Sequence, residues 1–125
     1  MALFTIAELN ALLRTLVTGI TIVGNDFAAA NPDDCAYTRI NGGRPPNEWS
    51  SVSRPSVQIV IRAKKSPDAE AKAYAFFNAL HNRQEFAVGT TRVIRSEAEQ
   101  SAPFYLGTDE SARTLYSVNF TFTTA

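Results

Sequence analysis

Apolar residues recur at spacings of three and four through Ile6, Leu9, Leu12, Leu13, Leu16 and Val17, which predicts an amphipathic helix over residues 5–18. Thr5 followed by Glu8 is a capping-box pair for its start, and Gly19 is its stop. The β-branched run Ile20–Val23 predicts a short strand broken by Gly24, Asn25 and Asp26. The pattern then weakens, and Asn31-Pro32-Asp33-Asp34 reads as turn or loop. Cys35–Ile40 can form a strand. After it, Asn41-Gly42 can close a hairpin, whereas Pro45 and Pro46 favour a longer projecting loop that ends near Arg54 and Pro55.

Val57, Ile59 and Ile61 alternate with less apolar neighbours and predict a strand. Ser66 is read as the cap of a second helix, with Pro67 at its first position and Ala69, Ala73, Phe76, Phe77 and Leu80 as its buried stripe. His81, Asn82 and Arg83 end it. Phe86–Ile94 reads as one strand around Gly89, Ser96–Ser101 as a polar loop, and Pro103–Asp109 as an apolar connector ending in a turn. The last segment alternates most regularly, with Tyr116, Val118, Phe120 and Phe122 on one face. Two helices and four to five strands describe an α+β fold, a single layered domain over residues 1–125. Its antiparallel or mixed sheet is covered by two helices and carries a long projecting loop or hairpin. Strand order is not legible in this pattern.

A chain of 125 residues that is 45% apolar has enough core to fold without disulfides or metal. Cys35 and His81 are single residues of their kind, so neither an internal disulfide nor a multi-histidine metal site is available. No cofactor is expected. The first sixteen residues lack the features of a secretion signal and no window reaches the length of a membrane span, so the expectation is a soluble, unprocessed chain made in a reducing cytoplasm.

Candidate chemistry is sparse. Cys35 follows Asp34, which disfavours a thiolate, and His81 at a helix end suits a structural role. The acidic pairs Asp33/Asp34, Glu97/Glu99 and Asp109/Glu110 fall in expected loops without the spacing of a cation-binding loop. Arg62, Lys64 and Lys65 can contact phosphates or simply form a solvated strand-to-helix connection, and no aromatic residues interleave with them. No enzyme is indicated.

Charge adds one observation. The chain is neutral overall, with twelve basic and twelve acidic residues. Residues 39–65 nevertheless carry Arg39, Arg44, Arg54, Arg62, Lys64 and Lys65 against Glu48 alone, whereas Glu97, Glu99, Asp109 and Glu110 carry no base between them. Segregated patches of opposite sign suit head-to-tail contact between copies, and rings follow where the rotation closes. Arg39, Arg44, Arg54, Glu97, Glu99, Asp109 and Glu110 are therefore the candidate interface residues.

The order of elements carries a resemblance. An N-terminal helix, an irregular middle, the strand Pro55–Arg62, the Ala/Phe-rich helix from Pro67 to Asn82, and the closing Pro103-Phe-Tyr-Leu-Gly-Thr-Asp109 and Arg113-Thr-Leu-Tyr-Ser-Val-Asn-Phe120 resemble the small tail terminator proteins of long-tailed bacteriophages, also filed as minor capsid or tail completion proteins. The likeness spans nearly the whole chain and is strongest from Arg54 to Phe122. It implies a structural virion protein with no catalysis: a homo-oligomeric, six-membered ring on the head-proximal end of the tail tube. Such a ring stops polymerisation of the tail tube protein, presents a surface to the head-completion protein, and lets DNA pass its lumen without specific binding. The segment Phe27–Trp49 matches nothing in that pattern. Two other readings stand beside it: a head-completion or neck protein of the same particle, and a small-ligand binding domain with a pocket at Trp49, Phe104 and Tyr105.

Overall fold

A computed structural model describes residues 3–44 and 52–125. The first helix, α1 (Ile6–Leu16), opens with the expected capping box: the Thr5 hydroxyl accepts from the Glu8 N–H, and the Glu8 carboxylate accepts from the Thr5 N–H at 2.9 Å. Leu9, Leu13 and Val17 turn inward. Strands β1 (Thr21–Gly24), β2 (Cys35–Arg44) and β3 (Arg54–Ala63) follow, then α2 (Ser66–Leu80), β4 (Arg83–Val88), β5 (Thr91–Ala98), β6 (Phe104–Thr108) and β7 (Thr114–Thr124).

The sheet order is β1-β2-β3-β7-β5-β4, with β6 also paired to β7. Only β1 and β2 run parallel; every other pair is antiparallel. The fold is thus a single α+β layer pair with a mixed sheet, as the periodicity implied, but with seven strands in place of four or five. β7 organises it. One edge meets β3 from Thr114 to Thr121; the other is divided, with β6 on Thr114–Ser117 and β5 on Phe120–Thr124.

One misread turn and one misread connector account for the difference in strand number: Pro103–Asp109, expected as an apolar connector, contains β6. Phe86–Ile94 is not one strand but a hairpin, because Gly89 at φ +60° reverses the chain between Val88 and its partner Thr91. Alternation continues across the turn, with Phe86 opposite Val93, so the period of two does not mark the reversal. Ser96–Ala98, expected in a loop, extends β5, and Ser96 is fully buried between Arg83 and Phe122. Ser66 is the first helical residue and not the cap, which is Lys65 without a side-chain hydrogen bond. A proline costs nothing anywhere in the first turn, where its N–H would be unpaired, so its position alone does not locate the cap.

Both helices lie on the same face of the sheet. Leu9, Leu13, Ala73, Phe76 and Leu80 pack against Val57, Ile59, Ile61, Val118, Phe120 and Phe122, all essentially inaccessible to water. A buried polar pair pins α1 to β2, where the Thr38 hydroxyl donates to Asn10 Oδ1 at 2.5 Å. The opposite face is partly covered by irregular chain. Arg62, buried on β3, donates to the carbonyls of Pro32 (2.7 Å) and Asp33 (3.0 Å) and lies 4.1 Å from the centre of the Phe27 ring. The residue expected to be solvated or phosphate-facing instead anchors the 27–34 segment through two of its backbone carbonyls and the Phe27 ring.

Candidate interaction surface

The single cysteine and histidine are absorbed by the fold. Cys35 is buried on β2, and its thiol pKa is raised by that burial, with nearby Arg62 pulling the other way; the neighbouring Asp34 is not the cause. His81 closes α2: its N–H donates to the Phe77 carbonyl, its ring stacks on Phe77 at 5.2 Å, and its Nδ1 accepts the Ala98 N–H at 3.2 Å. Asp34 accepts from the Lys64 N–H. Among the described residues no cluster of histidine, cysteine, aspartate and glutamate is arranged to hold a metal ion, and no helix is long and apolar enough to cross a membrane.

The charged candidates divide into paired and unpaired groups. Glu97 on β5 pairs with Arg95 at 3.0 Å. Asp109 organises the turn before β7, accepting the N–H groups of Ser111 and Arg113 and the Arg113 guanidinium at 2.8 Å; these bonds, the Arg113 N–H foremost, hold its pKa below the usual carboxylate value. Arg113 also reaches Asp33 at 3.2 Å. Glu99 accepts only the Thr121 hydroxyl, and Glu110 is exposed, with no ion pair for either among the described residues. Arg39 donates to the Asn25 carbonyl at 2.7 Å and lies over Tyr37, while exposed Arg54 lines a shallow depression with Gly43, Ser56, Glu99 and Thr121. Arg44 ends β2 in register with Arg54. The structure therefore brings Arg54 beside Glu99, and it spends Glu97 and Asp109 on contacts within the chain.

Sequence reasoning missed the most exposed apolar feature. Phe104, Tyr105 and Leu106 on β6 are 63%, 54% and 48% exposed. In a strand, successive side chains point to opposite faces, so three large apolar residues in a row cannot all enter one core; that was the available signal. The register shifts between Tyr105 and Gly107, so Leu106 is the extra residue of a bulge, and Gly107 sits at φ +101°. Tyr105 packs edge-on against Tyr116 at 5.5 Å, and the Tyr116 hydroxyl donates to Glu70 on α2. Burial, and then that carboxylate, raise the Tyr116 pKa. Exposed Tyr74 on α2 adds to the patch. Phe104 and Tyr105, expected to help line a ligand pocket, stand on an open sheet edge; Trp49, their expected companion, lies outside the described residues.

The other two sheet edges among the described residues are blunted. On β1 the Ile22 carbonyl accepts from Arg14 at 2.9 Å. On β4 the polar run Arg83-Gln84-Glu85 carries Glu85 at φ +49°, which skips the ladder. Kinks, charges and occupied carbonyls of this kind prevent unwanted strand pairing. β6 has its bulge but presents apolar side chains instead of charges.

Three chains of solved structures match this fold. One, from the "Virion of native gene transfer agent (GTA) particle", superposes with a TM-score of 0.65 at 11% identity, over 94% of this chain and 89% of that one. At that identity the likeness shows the fold. No curated protein sequence matches. The family described as bacteriophage tail terminator protein matches residues 18–125.

Proposed function

Because the chain belongs to the bacteriophage tail terminator family, and so is a structural protein of the phage tail, we propose that it assembles as a six-membered ring on the head-proximal end of the tail tube. There it stops addition of tube subunits and offers the head-completion protein a joining surface. The observation that carries this reading is the bare β6 edge: within a family of assembly proteins, this fold guards β1 and β4 and leaves Phe104, Tyr105 and Leu106 in water. The function is geometric, with no bond made or broken. Neutral overall charge suits a ring whose lumen DNA must traverse without being held.

Electron microscopy of polymerising tail tube protein with and without this chain tests the reading. Density at one tube end, with shorter tubes as the protein is increased, is the expected outcome. Decoration along the tube sides, or no binding, would contradict it. Binding to portal or adaptor rings in place of tubes would make it a neck protein.

A further inference from the structure

We propose that Glu70, Tyr74, Tyr105 and Tyr116 form a receptor for an arginine side chain, carried by an extended apolar segment of a different protein that pairs with β6. The inference rests on the reading of β6 as the assembly edge and names the chemistry that edge recognises.

The receptor is built where α2 passes over the β6–β7 pair. Glu70 and Tyr74, both exposed, stand one turn apart on α2, each next to an alanine (Ala69, Ala73) that is buried against the sheet. Tyr116 is in register with Ile61 on one side and Tyr105 on the other, and cross-strand partners share a face. Ile61 belongs to the core under the helices, so both tyrosines rise on the helix-covered face. There the Tyr116 hydroxyl donates to Glu70 at 3.2 Å, and Tyr105 meets the Tyr116 ring edge-on at 5.5 Å. That hydroxyl is the one polar partner of Glu70 among the described residues, and no base pairs with the carboxylate. Lys72, which lies between Glu70 and Tyr74 in sequence, is turned away to the Thr18 carbonyl at 2.6 Å.

A carboxylate beside aromatic rings attracts a cation, and a planar guanidinium can stack on a ring while it pairs with the acid. The same carboxylate repels phosphate, so these tyrosines do not suit a nucleic-acid strand.

The form of the partner follows from the sheet. β6 pairs with β7 alone, so its outer edge is free among the described residues. A strand added there places the residue opposite Tyr105 on the receptor face and its neighbours on the other face, where Phe104 is exposed. The added strand lies two strand spacings, ~10 Å, from β7, so a long side chain is needed to bridge to Glu70. Arginine between apolar residues meets both requirements. Within this chain Arg14, Arg39, Arg62, Arg92, Arg95 and Arg113 are already spent on carbonyls or carboxylates, which favours a different protein over a second copy as the donor.

Glu70→Gln tests the receptor, because the amide oxygen still accepts from Tyr116 while the charge is lost. The tyrosine ring signals of the full chain are followed by nuclear magnetic resonance as acetyl-Val-Arg-Val-amide is added, with acetyl-Val-Glu-Val-amide as the control. Saturable shifts of Tyr105 and Tyr116 are expected with the arginine peptide alone, with affinity about tenfold lower in Glu70→Gln at an unchanged melting temperature. No saturable shift, an equal response to both peptides, or equal affinity in Glu70→Gln would each overturn the receptor. A chain that dimerises through this face, and becomes monomeric on Glu70→Gln, would overturn the choice of a different protein. On polymerised tail tubes, Glu70→Gln is expected to weaken end binding about tenfold and to flatten its salt dependence. Parent-like end binding by this variant would remove the receptor from assembly and leave the terminator reading standing. Arginine-peptide binding by a chain that never caps tubes would do the reverse.

Discussion

The divided outer edge of β7 sets two regions of the molecule side by side. From Phe120 to Thr124 it is covered by β5, which is backed by β4, and the helices close over Phe120 and Phe122 until neither touches water. From Thr114 to Ser117 it carries only β6, and the sheet stops with aromatic side chains exposed. One strand thus passes from finished core to unfinished edge within about ten residues. Apolar side chains are buried beside the first half, whereas beside the second Phe104, Tyr105 and Leu106 remain exposed.

Truncations should divide along the same line. The largest loss is expected at Phe120→Ala, about 3–5 kcal/mol in urea unfolding, because a fully buried ring leaves a cavity the sheet cannot collapse. A cost below that of an exposed site would break the comparison. Gly89→Ala comes next, at roughly 1–3 kcal/mol: the turn needs a left-handed residue, and a new Cβ would fall on the Glu8 carboxylate. Adding Glu8→Ala should relieve that clash while losing the α1 capping box, so the two effects are expected not to sum.

On the far face, Arg62→Met should cost about 1–3 kcal/mol through the stranded carbonyls of Pro32 and Asp33, with faster hydrogen exchange concentrated in residues 27–34. A uniform change would show that Arg62 does not anchor this segment. Asp109→Asn should flatten the acid limb of stability. The folded carboxylate has a lowered pKa, so its contribution is present above the ordinary value near ~4 and is lost as pH falls through the lowered one. An unchanged acid limb would mean that the turn does not depend on the charge. The smallest effect on the monomer belongs to Leu106→Asp, within about 0.5 kcal/mol of the parent, with tube capping lost. A large loss of stability there would erase the distinction between the two regions.

The same contrast separates what was legible in the sequence from what was not. α1 with its cap, the β3 and β7 alternation and the buried face of α2 follow from local spacing, because a single packed face imposes a period. The β4–β5 hairpin was hidden by an alternation that runs through its turn, and β6 because a doubly exposed bulged edge has no period at all. Arg62 looked like part of a basic run, since its partners are backbone carbonyls thirty residues away in sequence, and carbonyls carry no sequence signature. Among the candidate interface residues, charge segregation could not foresee that Asp109 and Glu97 would be spent on Arg113 and Arg95.

Hydrogen–deuterium exchange of the protein alone and on tail tubes measures most directly whether the bare edge is the assembly surface. The expected result is slowed exchange in the Phe104–Thr108 amides on assembly, with the Thr21–Gly24 and Arg83–Val88 edges unaltered. Unchanged exchange in β6 while β1 or β4 becomes protected would contradict the account.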